Sequence, residues 1–238
     1  MDSGRVDTGA PLAAGLKFFR RAPNNQEAAL CPGRCRRGYT GPYMREYDLL
    51  IIGSGPAGHH GAIQAAKLGK RVGMIEIRSV PGGACIHTGT IPSKTLREAV
   101  LHLAGMKQRG LYGIGYERVS NFSMDDLTGR VDQVVRTEVG VFIDHFRRNE
   151  VEVITGKASF VDSHVVQVDS PAAHIKCRAE KILIAAGTRP AHDTSIPFDD
   201  QRIFDTDALL RLPELPKLLT IVGGGVIGVE YACMAAAL

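Results

Sequence analysis

The chain is 238 residues long, 44% hydrophobic and 23% charged, enough apolar side chain for one large or two ordinary cores. No apolar run approaches the ~20 residues of a membrane-spanning helix, which argues against a membrane protein. The formal charge of +4 resides in residues 1–43, with seven Lys/Arg against three Asp/Glu, while the rest carries 22 of each, so nothing in the folded part recommends a nucleic acid partner.

Residues 1–43 show no helical or strand periodicity and mix Gly, Pro, Asn and Arg. The apolar stretch Leu12–Leu16 is too short for a secretory signal core, and Asp2, Asp7 and Glu27 argue against an organelle transit peptide. Cys31 and Cys35 form one isolated pair without the second half-site of a metal knuckle, and no metal is expected. The segment is expected to be disordered, and to be non-native if translation starts at Met44. The five widely spaced cysteines are not a secreted disulfide framework, so a reducing cytosol is the expected compartment.

Asp48 to Ile52 reads as a buried strand, and Gly53-Ser54-Gly55-Pro56-Ala57-Gly58 follows at once. A largely buried helix is predicted over His60–Leu68, stopped by Gly69, and Arg71–Glu76 is a second strand ending on an acid. Strand, glycine turn, helix, strand and acid stand in the order of a dinucleotide site. Gly53 permits the tight turn, Gly55 permits close backbone approach to a pyrophosphate, and Gly58 permits tight helix–strand packing. Pro56 fits the first helical turn, whose free N–H groups and positive dipole end face the phosphates. Glu76 lies 23 positions after Gly53, near the ~20 expected of an acid accepting from ribose hydroxyls. The turn by itself does not distinguish FAD from NAD.

Glycine and proline make residues 80–94 a predicted loop, with a helix from Thr95 to about Lys107. Ser123 is the expected N-cap of a longer helix to about Arg148, with Leu127, Val131, Val134, Val135, Val139, Phe142 and Phe146 as its core stripe. Short β-type runs at 151–155, 158–161, 165–168 and 181–185 read as a small meander inserted before the next parallel strand. Lys217–Val222 is predicted to be a buried strand. It leads into Gly223-Gly224-Gly225-Val226-Ile227-Gly228 and a helix over Val229–Leu238, the start of a second dinucleotide unit. His59 and His60 read as packing or surface residues, His87 as solvent-facing, and Cys177 and Cys233 as small buried hydrophobes.

Two dinucleotide turns suggest two cofactors brought together for electron transfer. Residues 47–238 resemble the FAD-dependent flavoprotein disulfide reductases, the pyridine nucleotide-disulfide oxidoreductase family that includes dihydrolipoyl dehydrogenase and glutathione reductase. Within that family the chain is most similar to the soluble transhydrogenase branch. The resemblance rests on Ile52–Gly58, Gly82-Gly-Ala-Cys-Ile-His-Thr-Gly-Thr-Ile-Pro-Ser-Lys-Thr-Leu-Arg97, Ile184-Ala-Ala-Gly-Thr-Arg-Pro190 and Val222-Gly-Gly-Gly-Val-Ile-Gly-Val-Glu-Tyr231. It implies an α/β fold: a doubly wound Rossmann-type FAD domain with a small β-meander over 44–190, then an incomplete NAD(P)-binding Rossmann unit over 191–238. It implies FAD contacts at Gly53, Gly55, Pro56, Ala57, Gly58, Glu76, Arg78, Gly82, Gly83, Ala84, Cys85, Lys94, Ala158, Ala186 and Gly187. Gly223, Gly225 and Gly228 would hold the nicotinamide dinucleotide. Lys94 matches the lysine beside the reactive flavin nitrogen and Glu230 the acid that pairs with it.

The family's redox pair is two cysteines five positions apart, and here Cys85 keeps the first place while Thr90 takes the second. A hydroxyl forms neither a disulfide nor a thiolate contact with the flavin, so a disulfide substrate lacks its exchange partner. A second nicotinamide is then the simple electron acceptor, and NADPH reducing NAD⁺ through FAD is the expected reaction, with Cys85 a contact or bystander. Alternative expectations are a dihydrolipoyl dehydrogenase-like reductase and a non-catalytic FAD-binding fragment. The family continues past the position of Leu238 with the rest of the nicotinamide domain, a returning flavin segment and a dimerising domain, so an N-terminal part of a homo-oligomeric enzyme is expected.

Overall fold

The computed structural model describes residues 44–109, 123–171 and 173–238, without side chains for 104–109. The expected disorder of residues 1–43, and Cys31 and Cys35 with it, lies outside the described residues. The element order is β1 (Met44–Ile52), α1 (Pro56–Lys67), β2 (Val72–Glu76), α2 (Gly83–His87), α3 (Thr90–Arg109), α4 (Met124–Arg148), β3 (Glu152–Thr155), β4 (Lys157–Phe160), β5 (Val165–Asp169), β6 (His174–Ile184), α5 (Thr206–Leu209) and α6 (Val226–Ala237).

The strands form one six-stranded sheet of order β3-β2-β1-β6-β5-β4. The first four are mutually parallel; β5 runs antiparallel to β6, and β4 to β5. β6 joins the two halves: its first part pairs with β5 and its later part follows β1 to the register Ile52↔Ile184. The run at 151–155 is therefore not part of the meander. It is the outer parallel strand beside β2, and the meander is β4, β5 and the first part of β6.

Alternation along the strands divides the core. Leu50 and Ile75 pack on one face with Tyr47, Ile154, Val166, Val168, Cys177 and Ala179. Ile51 and Met74 pack on the other with Ala62 of α1 and Phe146 of α4. A third cluster joins α3, α4 and α6 through Leu96, Val100, Leu127, Val131, Tyr231 and Met234. α4 begins where the sequence indicates: Ser123 Oγ accepts from the Asp126 amide and Asp126 Oδ2 accepts from the Ser123 amide, a reciprocal capping box.

Several elements differ from expectation: β1 starts at Met44 rather than Asp48, and α6 at Val226 rather than Val229. α1 starts four residues early, at Pro56, because proline at the first helical position lacks only an N–H that would have no partner there. It is also less buried than its alanines imply: Gly58, His59 and Ala62 are its buried residues, and Leu68, just past its end, is 69% exposed. Residues 83–94 are mostly helical, since Pro92 occupies the first turn of α3, where proline is harmless. Lys217–Val222 is not a strand and not buried, with Leu218 86% and Val222 97% exposed. Among the described residues no strand lies beside it to accept a ladder, and an apolar run without a neighbour has nothing to pair with. Cys233 is exposed on α6, whereas Cys177 is buried as expected and its thiol is pushed up to about 11 by burial.

Candidate functional site

The four parallel strands finish on one edge of the sheet, with Ile52 level with Ile75 and Ile184, and Glu76 level with Thr155. The connection from β1 goes through α1 to β2 on one side, while β6 lies on the other. That reversal opens a crevice at the carboxyl ends of the strands, where α/β sheets bind ligands.

Gly53 makes the turn out of β1 at φ +103°, a conformation that L side chains rarely adopt, and a Cβ there would lie 2.3 Å from the Ala185 carbonyl oxygen. A Cβ on Gly58 would lie 1.9 Å from the Gly53 carbonyl, so the first turn of α1 sits directly on the turn it follows. Ala186 passes over Gly53 at the end of β6, and Gly187 follows it. Gly55 caps α1 without a side-chain hydrogen bond, Pro56 and Ala57 are exposed in its first turn, and the free amides of that turn have no side-chain partner among the described residues. An uncapped, exposed helix start in the crevice fits a pyrophosphate.

Glu76, 6% exposed, is held by three donors. The Ser54 amide (2.9 Å) and the Ser54 hydroxyl (2.5 Å) both donate to Oε2, and the Arg78 amide donates to Oε1 at 2.9 Å. Burial works to raise its pKa, but the Ser54 hydroxyl, the two amides and the Arg78 charge together hold it below the usual carboxylate range. Oε1 keeps capacity for one more donor, such as a ribose hydroxyl. The Gly156 amide donates to the Glu76 carbonyl (2.9 Å), which puts Gly156-Lys157-Ala158 beside the acid, with Ala158 half-buried.

Gly82 and Gly83 carry positive φ (+130° and +62°) and bring the next loop against the first: a Cβ on Gly83 would lie 2.8 Å from the Gly55 Cα. The Gly82 amide donates to Ser54 Oγ at 3.1 Å. Ala84 is exposed, and Cys85 is half-buried in α2. Thr90, exposed, opens α3. His87 does not face solvent freely; its Nε2 is bonded to the Pro81 carbonyl at 2.9 Å, clamping the loop.

The structure brings Lys94 of α3 and Glu230 of α6 into an ion pair, Nζ donating to Oε1, across 136 positions of sequence. Lys94 lies near the positive end of the α3 dipole, an unfavourable place for a cation that the carboxylate offsets. The second glycine turn repeats the first. Gly223 has φ +118°, a Cβ on Gly228 would lie 2.2 Å from the Gly223 carbonyl, and Gly225 caps α6 without a side chain. That turn therefore forms although the segment before it is unpaired.

One residue escapes the sequence reading. Ser54 occupies a variable place in the glycine motif, so its type carries no signal. His59, read as packing or surface, is a packing residue, 6% exposed. Its Nε2 lies 3.1 Å from His145 Nδ1, its ring stacks on Phe142, and its Nδ1 has no partner among the described residues. His60 beside it is exposed.

The pyridine nucleotide-disulphide oxidoreductase family model matches residues 47–238. A soluble pyridine nucleotide transhydrogenase of Mycobacterium tuberculosis is 48% identical over 197 residues, 82% of this chain and 42% of that protein. One from Escherichia coli is 39% identical over 192 residues, 80% of this chain and 41% of that protein. Among solved structures, the Cu(II) complex of the HOCl-induced flavoprotein disulfide reductase RclA from Escherichia coli matches with a TM-score of 0.67 and 32% identity, over 82% of this chain and 41% of that one. The chain thus spans about two fifths of the length of the curated relatives it matches. With two glycine turns, a caged acid and a family model that covers all but the first 46 residues, the chain belongs to the pyridine nucleotide-disulphide oxidoreductase family.

Proposed function

We propose that this chain carries the FAD site and the first part of the nicotinamide site of a soluble pyridine nucleotide transhydrogenase, moving reducing equivalents from NADPH to NAD⁺ in a reducing cytosol. The FAD unit spans residues 44–190 and the nicotinamide unit starts at 191; the whole enzyme is a homo-oligomer. When bound, FAD would supply a reversible hydride acceptor between the two nucleotides. The uncapped start of α1, with Gly53, Gly55, Pro56, Ala57 and Gly58, would hold its pyrophosphate. Glu76 would take the adenosine ribose with Arg78 beside it, Ala158 the adenine side, and Gly82, Gly83, Ala84, Cys85, Ala186 and Gly187 the cofactor's length. Gly223, Gly225 and Gly228 at the start of α6 would hold the nicotinamide dinucleotide's pyrophosphate. Lys94 would place a cation by the ring and favour negative charge on the reduced cofactor, with Glu230, its ion-pair partner, holding that lysine in place.

The observation that carries the reading is Thr90 at the start of α3, where a disulfide reductase of this family needs its second sulfur. The likeness to RclA favours a disulfide reductase as a second reading, and the hydroxyl at residue 90 weighs against it. The test is direct. Protein purified from its own gene is expected to be yellow, or to turn so with added FAD, and to move hydride from NADPH to a thio-analogue of NAD⁺. Turnover of dihydrolipoamide would replace this reading with the reductase, and a protein that stays colourless with FAD would leave an inert fragment.

A further inference from the structure

Ser54 makes more contacts than the turn itself requires. Its side chain is fully buried between three elements: the β1–α1 turn that carries it, the end of β2 and the loop before α2. A hydroxyl has one proton to give. The Gly82 amide already points its hydrogen at Oγ (3.1 Å), so the Ser54 proton goes to Glu76 Oε2 (2.5 Å). The same residue's amide donates to that carboxylate oxygen too. Glycine or alanine would satisfy the backbone of the turn equally well, but neither supplies this bridge.

We propose that Ser54 is the positioning residue for the adenosine end of the cofactor: its hydroxyl holds Glu76 ionised and oriented toward the ribose, and ties it to the Gly82–Gly83 loop. The proposal rests on the FAD reading above. A carboxylate at 6% exposure is disfavoured by burial, and donors must offset that. From the β1–α1 turn come the Ser54 amide and hydroxyl; from the end of β2 come the Arg78 amide and guanidinium charge. Among the described residues no other charge acts on Glu76. Without the Ser54 hydroxyl, Glu76 keeps two of its three donors and the Gly82 amide is left buried without a partner. The carboxyl then takes up a proton at higher pH, and a protonated Glu76 is a weaker acceptor for a ribose hydroxyl.

The experiment uses Ser54→Ala and Ser54→Gly, which lack the hydroxyl, and Ser54→Thr, which keeps it. FAD affinity is measured by flavin fluorescence at pH 7.5 and 5.5, and the Glu76 side-chain carbon is titrated by NMR without FAD. Ser54→Ala and Ser54→Gly are expected to bind FAD ~10-fold more weakly at pH 7.5, the effect of losing a hydrogen bond to a charged group. They should weaken further at pH 5.5, with Glu76 titrating higher, whereas the unsubstituted chain and Ser54→Thr keep an affinity nearly independent of pH. An unchanged Glu76 titration in the hydroxyl-free variants, or an equal loss of affinity at both pH values, overturns the proposal and leaves the FAD reading standing. Failure of the unsubstituted chain to bind FAD overturns the reading and the proposal together.

Discussion

Cys85 and Thr90 sit on successive helices: the cysteine is the third residue of α2 and the threonine the first of α3. Gly89 between them turns the chain tightly enough that a Cβ on it would lie 3.9 Å from the Cys85 Cα. The residue just before Thr90 therefore packs back on the helix that carries Cys85. Restoring the sulfur should restore the pair. In Thr90→Cys, mild oxidation is expected to consume two thiols, read by thiol titration of the unfolded chain, and reduction of the FAD-loaded protein should raise a long-wavelength flavin–thiolate band. Two thiols that stay free under oxidant would show that the two positions do not meet. Lys94 illustrates what residue types alone can convey. A lysine near a helix start is electrostatically misplaced and so draws attention, yet its partner Glu230 came from resemblance and geometry together. Ser54 drew none, because a small polar residue in a glycine turn is unremarkable until its neighbours are known.

At the scale of elements, the contact between α1 and α4 carries a pH dependence that the core stripe of α4 does not reveal. Burial, then the neighbouring His60 and His145, lower the His59 pKa to about 4 from its usual 6.5. The groups packed on it are His60 from α1, and Phe142, His145 and Phe146 from α4. A base whose folded pKa is depressed binds fewer protons folded than unfolded between these two values. Stability is then complete above about 6.5 and falls as pH drops toward 4, by on the order of 2–3 kcal/mol. Urea midpoints at pH 7.5 and 5 are expected to show this loss. His59→Phe should reduce it, because phenylalanine keeps the stack on Phe142 and leaves no imidazole to charge; an unchanged pH dependence in that variant would place the effect elsewhere. The extent of α4 was readable, since a capping box is local and its apolar spacing regular. The helices over 83–109 were misread at their starts because glycine and proline were counted as breakers, whereas at a first helical turn both are at home.

Over the whole molecule the two glycine units are unequal in their support. The first is set in a continuous sheet, with β2 buried at every position and β1 paired on both sides. The second has the turn and the helix, while the residues leading into it, 217–222, belong to no strand and expose Leu218 and Val222. Tyr231 and Met234 of α6 nonetheless pack on α3 and α4, and Lys94 meets Glu230 there. That exposed ion pair contributes at most about 1 kcal/mol, so the apolar contact anchors α6. Hydrogen exchange should divide the chain accordingly. Amides of β1 and β2 are expected to be protected for hours, and those of 217–222 to exchange within seconds to minutes. Strong protection in 217–222 would mean that the segment is paired after all. No helix among the described residues is long and apolar enough to cross a membrane.

The amino-acid sequence by itself determined the two glycine turns, the acid at the end of β2 and the capped start of α4. Each depends on interactions within a few residues or on a conformation that glycine alone tolerates, such as the positive φ at Gly53 and Gly223. The tertiary structure alone decided that 151–155 joins the parallel sheet, that 217–222 stands unpaired, that Ser54 links Glu76 to Gly82, and that His59 is buried against His145. Strand pairing and burial are properties of neighbours brought together from distant parts of the chain, and no local pattern of residues carries that information.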